Sequence, residues 1–222
     1  MASKEEIIKG MKEAILTYNK AKCLELAKQG MAAKIKALDL INDGLTPAIQ
    51  ELGEKFGRGE LALPYLMVGA EAMQGALNYI LKSIPKGEYK PKAKMVLGSV
   101  KGDIHDLGIS IVEAVFQANG IQMYNLGRDT PKEKFVEKAE AEGADIIGTS
   151  ALLTGTMFEQ KVVIEYLKKK GLRDKYIYLI GGGACPSSQW CEEIGADGWA
   201  TDVMLGLDAA KKALAEKKGI EL

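Results

Sequence analysis

Apolar residues recur at helical spacing through about the first 84 positions, and the pattern then changes to short strand-like runs alternating with helical ones. A chain that switches period once in this way is constrained to an all-helical unit followed by an α/β unit. Ser3-Lys4-Glu5-Glu6 has the spacing of a capping box and opens a helix carrying Ile7, Ile8, Met11 and Ile15. A second helical segment around Leu24 and Ala27 is expected to stop at Gly30. A third carries Leu38, Ile41 and Leu45, is broken or kinked at Pro47, continues through Ile49, Leu52 and Phe56, and ends at Gly57-Arg58-Gly59. Pro64 suits the first turn of a fourth helix that reaches about Leu81. Four helices with short connections make an antiparallel bundle.

Between Pro85 and Pro91 runs Lys-Gly-Glu-Tyr-Lys, a short polar connector that places the domain boundary there: residues 1–90 are expected as a helical cap domain and 91–222 as a second domain. The connector is also a plausible hinge. Strand-like runs follow at Lys94 to Val100, Ile121 to Leu126, Ala144 to Ser150 and Tyr176 to Ile180, with a weak fifth near Gly198 to Thr201. Helical stretches separate them, notably 130–142 and 156–170. The expected architecture is a five-stranded parallel sheet with helices on both faces. In such sheets ligands sit beyond the carboxyl ends of the strands.

Charge narrows the partners. Thirty Lys and Arg balance thirty Asp and Glu, which gives no electrostatic reason to expect nucleic acid or an anionic membrane. No stretch approaches the roughly 20 apolar residues that span a bilayer, and Met-Ala-Ser-Lys-Glu-Glu lacks the apolar core of a signal peptide. A cytoplasmic location is therefore expected. The three cysteines, Cys23, Cys185 and Cys191, fit a reducing compartment better than a disulfide framework.

Three features fall at strand ends and should cluster in space. Gly102-Asp103-Ile104-His105-Asp106-Leu107-Gly108, with the only histidine of the chain, follows the first strand. Ser150-Ala151-Leu152 closes the third, and Gly181-Gly182-Gly183 follows the fourth. An imidazole whose remote nitrogen donates to a carboxylate is held in one tautomer and becomes a better metal ligand, and Asp103 can do this for His105. Each feature also has a plain reading: Asp103 could cap a helix, His105 could be structural, Ser150 could be an N-cap, and the glycines could form a tight turn.

In order and on this topology, Asp-x-His-x-x-Gly, Ser-x-Leu and Gly-Gly resemble the binding fingerprint of cobalamin-dependent methyltransferases and mutases, whose corrinoid-binding domain has a flavodoxin-like, Rossmann-like sheet. Ser150 to Met157, Ile194-Gly-Ala-Asp-Gly198 and the bundle segment Phe56 to Pro64 extend the resemblance to the small corrinoid proteins of methylotrophic methyltransfer systems. It covers nearly the whole chain. The resemblance implies a corrinoid cofactor (cobalamin, methylcobalamin) with His105 as the lower ligand of its cobalt, Asp103 on the other ring nitrogen, and Ser150 as the next member of a relay. It further implies that Gly102, Asp106, Leu107, Gly108, Leu152, Thr154, Gly182 and Gly183, with Gly181 as a third glycine, line the site, including a slot between the first and third strands for the displaced nucleotide tail.

The implied activity is methyl carriage between a substrate-specific corrinoid methyltransferase, of methylamine or betaine type, and an acceptor methyltransferase using coenzyme M or tetrahydrofolate, with a reductive activase as third partner. Such carriers serve methanogenesis or one-carbon metabolism. Met67, Met73 and their neighbours in the bundle are either ordinary core or a cap over the methyl face. Two departures stand out: Ile109 where the family often has lysine, and Cys185-Pro186 where Ala-Pro is common. The competing readings are a cobalamin-based sensor, the corrinoid-binding subunit of an adenosylcobalamin mutase, a flavodoxin-like domain without cobalt, and a zinc site made from Cys185, Cys191 and His105.

Overall fold

The computed structural model describes residues 2–83, 90–182 and 187–222. Two compact units divide the chain, Met1–Lys90 and Pro91–Leu222. The connector expected as a hinge lies largely at 84–89, outside the described residues.

The first unit is helical. Helix α1 (Lys4–Leu16) begins with the expected capping box: Ser3 Oγ accepts from Glu6 N at 3.2 Å while the Glu6 carboxylate accepts from Ser3 N at 2.7 Å. Helix α2 (Lys20–Ala32) is capped by Asn19 and runs two residues past Gly30. Gly30 does not end it. A Cβ there would lie 2.8 Å from Leu40 Cδ2, so the residue is small because Leu40 packs onto it. Helix α3 comprises Ala37–Asp39, a π-helical turn Leu40–Leu45 and Thr46–Gly57. Pro47 thus neither breaks the helix nor stands inside regular turns. It falls in the first turn of Thr46–Gly57, after a widened turn in which Thr46 N reaches back to Ile41 O. Helix α4 (Leu63–Ser83) buries Leu66, Ala70, Met73, Leu77 and Ile80. Met73 is core, while Met67 is only half-buried. Helices α1 and α2 pack together, and α4 packs on both α2 and α3. Leu52 of α3 approaches α4 so closely that a Cβ on Gly69 would stand 2.3 Å from it.

The second unit alternates strand and helix: β1 (Ala93–Ser99), α5 (Leu107–Ala118), β2 (Ile121–Asn125), α6 (Lys132–Glu142), β3 (Ile146–Ser150), α7 (Thr154–Lys169), β4 (Ile177–Gly181), α8 (Ser188–Ile194), β5 (Gly198–Trp199) and α9 (Val203–Lys218). All pairings are parallel and the order is β2-β1-β3-β4-β5. β1, β3 and β4 are apolar and buried on both sides, as strands sandwiched between helix layers must be. Val96, Ile147 and Tyr178 face Phe135 of α6, Val163 and Leu167 of α7, and Trp190 of α8. α5 and α9 pack together on the sheet. β5 is two residues long, a short edge that limits strand addition.

The chain leaves β1 toward β2 on one side and returns to β3 on the other. This reversal is the switch point of a doubly wound sheet, where loops diverge and a crevice opens. β1 and β3 stay paired to their last residues, Ser99 opposite Ser150.

Candidate functional site

The loop after β1 is fastened before any ligand is considered. Ser99, fully buried, donates from Oγ to the carbonyl of His105 at 2.7 Å. Gly102, at φ +80°, donates its N–H to Asp129 Oδ1 at 2.7 Å, and Asp129 N donates to Asp103 O at 2.9 Å. Asp129 itself holds φ +51°, a conformation tolerated by aspartate but rare for non-glycine residues. These bonds brace residues 99–105 from the β2 side.

Asp103 then fixes His105. Oδ1 accepts the His105 backbone N–H at 3.0 Å and lies 2.9 Å from the ring Nδ1. Oδ2 accepts from Leu152 N and from Thr156 Oγ1, both at 2.7 Å. Burial alone would raise the pKa of this carboxyl, but the bonds from Thr156, His105 N, Leu152 N and the His105 ring outweigh it and hold the group at about 2. An ionised carboxylate can only accept, so Nδ1 carries the hydrogen and Nε2 presents a lone pair. Nε2 makes no hydrogen bond among the described residues. The ring is 43% exposed above a carboxylate side chain that is 1% exposed. It is a half-open imidazole on a buried anchor.

Asp103 does not cap α5; Asp106 holds that N-cap position without a side-chain bond. Two oxygens offer about four lone-pair sites, and four donors fill them. The place beyond Asp103 that the sequence pattern gave to Ser150 is held by Thr156, in the first turn of α7. Ser150 ends β3 half-buried, and its carbonyl accepts from Val100 N at 3.0 Å.

The other expected residues fall as follows. Leu152 contributes its backbone N–H to Asp103, and its side chain is exposed, as are those of Leu153 and Ile104. Thr154 is exposed at the start of α7. A Cβ on Gly108 would meet nothing within 4 Å, and the same holds for Gly155, so open space adjoins the first turns of α5 and α7. Gly182 is different. At φ +119° its Cβ would lie 2.1 Å from Ala151 O, so the β3 and β4 loops press backbone to backbone there and the glycine is demanded by the protein itself. Gly181 accepts at its carbonyl from Ala151 N and from Gln160 Nε2, both at 3.0 Å. Gly183, Cys185 and the side chain of Leu107 lie outside the described residues.

Sequence reasoning missed Thr156, Ser99, Asp129 and Gln160. Gln160 of α7 is fully buried and ties the ends of β3 and β4 together: Nε2 donates to Thr149 O at 3.1 Å and to Gly181 O, while Oε1 accepts from Trp190 Nε1 at 3.0 Å. Its one available signal was a glutamine in an apolar helical row. Cys191 is buried in the core, its thiol pushed up first by desolvation, with Sγ 3.5 Å from Ala196 O. Among the described residues no group of three or more His, Cys, Asp or Glu side chains could hold a metal ion. A corrin ring brings its own ligands to cobalt, and the open Nε2, the exposed apolar side chains of Ile104, Leu152 and Leu153 and the open space at Gly108 and Gly155 fit that group.

A family model described as a B12 binding domain matches residues 93–208, and a second B12 binding domain model matches residues 7–81. A corrinoid protein of Desulfitobacterium hafniense strain Y51 is 44% identical over 210 residues, covering 93% of this chain and 96% of the relative. Dimethylamine corrinoid protein 2 of Methanosarcina acetivorans is 38% identical, covering 98% of this chain and all of the relative. The solved methanol:cobalamin methyltransferase complex MtaBC from Methanosarcina barkeri contains a chain that superposes with a TM-score of 0.78 at 28% identity, covering 99% of this chain and 82% of that one.

Proposed function

The chain belongs to the family of corrinoid proteins built from B12 binding domains, and on that premise we propose that it carries a methyl group between a methyltransferase that takes it from a methylamine-type donor and a methyltransferase that passes it to coenzyme M or a folate. A bound corrinoid supplies a cobalt able to accept, hold and release a methyl group. The chain's own residues supply the lower ligand and its tuning. His105 presents Nε2, Asp103 keeps the hydrogen on Nδ1, and the Leu152 N–H fixes the carboxylate from the β3 side. A Cβ on Gly108 or Gly155 would meet nothing within 4 Å, and this open space at two helix starts is where the nucleotide tail would be received.

The observation that carries this reading is the single imidazole, half exposed, whose inner nitrogen rests on a buried, fully bonded carboxylate at the switch point of the sheet. Residues 91–222 are read as the cobalamin-binding domain and 1–90 as its cap. Gly102, Asp106, Leu107, Ser150, Thr154, Gly182 and Gly183 are the further candidates for cofactor contact. The methylamine class is favoured because relatives of this length are named for dimethylamine. In this reading a substrate methyltransferase activates the amine, and a reductive activase is the third partner. No helix of the described residues is long and apolar enough to cross a membrane, and the proposed place of work is the cytoplasm.

The test is an anaerobic transfer assay. The full chain, loaded with corrinoid and reduced, is mixed with a methylamine methyltransferase and in turn with mono-, di- and trimethylamine, glycine betaine and methanol. One methyl group bound per chain from a methylamine, and its transfer onward when an acceptor methyltransferase is added, is the expected result. Loading from no donor with any cognate methyltransferase overturns it in favour of a sensor.

A further inference from the structure

Thr156 Oγ1 has one hydrogen and two acceptors within reach: Asp103 Oδ2 at 2.7 Å and Leu153 O at 3.0 Å. The competition has a clear winner. Leu153 O already accepts from Thr156 N and Met157 N, both at 3.0 Å, which uses the two lone pairs of a carbonyl. Asp103 is charged and nearer, and hydrogen bonds to an ionised acceptor are roughly twice as strong as neutral ones. The hydroxyl hydrogen therefore lies on Asp103.

What this does to His105 depends on whether Thr156 aims the carboxylate or draws on its charge. Aiming is already provided. One backbone N–H holds each oxygen, His105 N on Oδ1 and Leu152 N on Oδ2, and both belong to braced segments of the β1 and β3 loops. Those two bonds fix the plane of the carboxylate without any hydroxyl. Thr156 is a third, redundant donor as far as orientation goes. Its remaining effect is electrostatic: each donor to a carboxylate reduces the negative charge offered to the others, so a bond at Oδ2 weakens acceptance at Oδ1 from the His105 ring.

We infer that Thr156 is a positioning residue of opposite sign to Asp103: its hydroxyl bond to Asp103 Oδ2 limits how strongly the carboxylate holds the Nδ1 hydrogen of His105, and so keeps Nε2 a weaker ligand than Asp103 alone would make it. A protein ligand that can let go would serve a carrier that both takes up and gives away its methyl group. The hydrogen-bond argument concerns the protein alone. Its consequence for cobalt rests on the corrinoid reading above.

The lone histidine makes the test direct, because every imidazole signal comes from His105. In the full chain without corrinoid, labelled with 15N-histidine, the two ring nitrogens are read through the carbon-bound ring protons, and their shifts give the ratio of the two neutral tautomers. Thr156→Val, which keeps the shape and loses the hydroxyl, is expected to raise the Nδ1–H share, whereas Thr156→Ser keeps the wild-type ratio. With hydroxocobalamin bound and reduced by one electron, the Val variant is expected to hold cobalt on histidine with an affinity about tenfold higher.

An Nδ1–H share that is unchanged or lower in the Val variant overturns the inference. If Thr156→Val does not fold, as judged by circular dichroism, Thr156→Ala is read in the same way. A risen share in a chain that binds no corrinoid would sink the proposed function and leave this inference standing.

Discussion

A single oxygen of Asp103 holds both the main chain and the ring of His105: Oδ1 accepts the His105 N–H at 3.0 Å and lies 2.9 Å from Nδ1. Two anchors on one atom restrain the imidazole from turning and favour the tautomer with its hydrogen on Nδ1. The second oxygen, occupied by Leu152 and Thr156, binds this arrangement to the loop after β3. The loops on either side of the switch point are thereby joined through one side chain.

Asp103→Asn breaks that joint whichever way the amide is turned. Four donors face the side chain, and an amide presents its own donors to two of them. Stability is expected to fall by about 1–3 kcal/mol, and corrinoid affinity by about 10- to 100-fold. Urea unfolding and titration with hydroxocobalamin measure the two losses separately.

Two glycines of the fingerprint should respond in opposite ways. Gly182→Ala forces a Cβ to 2.1 Å from Ala151 O at φ +119°, and a loss of at least about 3 kcal/mol in stability is expected, visible in thermal unfolding of the protein without cofactor. Gly108→Ala meets nothing within 4 Å and lies in a helix, where alanine is favoured by up to about 1 kcal/mol. Its melting temperature should hold or rise while corrinoid affinity drops, provided the open space takes the nucleotide tail.

Gln160→Leu leaves the carbonyls of Thr149 and Gly181 and the Trp190 N–H short of a partner. A cost of about 1–3 kcal/mol is expected, chiefly from the Trp190 N–H, because Gly181 O keeps its bond from Ala151 N; denaturant unfolding checks it. Because Gly181 adjoins the glycine loop, amide exchange at Ala151 and Gly181 should quicken as well.

Acid stability should depend on Asp197. Burial pushes its carboxyl up, but bonds from Arg173, Lys217 and Tyr178 N prevail and its pKa is lowered. A depressed carboxylate stabilises the fold above its unfolded pKa of about 4, and that contribution is lost as pH falls through the lower folded value. Asp197→Asn is expected to cost on the order of 2 kcal/mol at neutral pH and to flatten the decline below about pH 4. Unfolding free energies measured across the acid range give both.

Where periodicity alone decides, the sequence was readable. The switch from helical to alternating period separated the two units, and five strands of buried apolar residues with helical runs between them admitted one common parallel arrangement. What escaped depended on contacts between distant positions. Gly30 looked like a helix stop because nothing in the sequence says that Leu40 will pack on it, and Pro47 looked like a break because a π-helical turn leaves no periodic mark. At the site, Asp103 and His105 stand two apart and were legible as a pair. Thr156 stands 53 residues from Asp103, and the bond between them exists only once α7 is placed against the β1 loop. The demand for glycine at 182 likewise comes from the backbone of Ala151, not from a ligand.

In the proposed function His105 is the protein's ligand to corrinoid cobalt. Electron paramagnetic resonance of the cobalt(II) form, with hydroxocobalamin bound to the full chain and reduced by one electron, tests it most directly. The chain has one histidine, so growth on 15N-histidine labels His105 alone. With His105 on cobalt, the nitrogen splitting changes from triplet to doublet on labelling and is absent in His105→Ala. A splitting indifferent to the label, arising from the cofactor's own base, would contradict it.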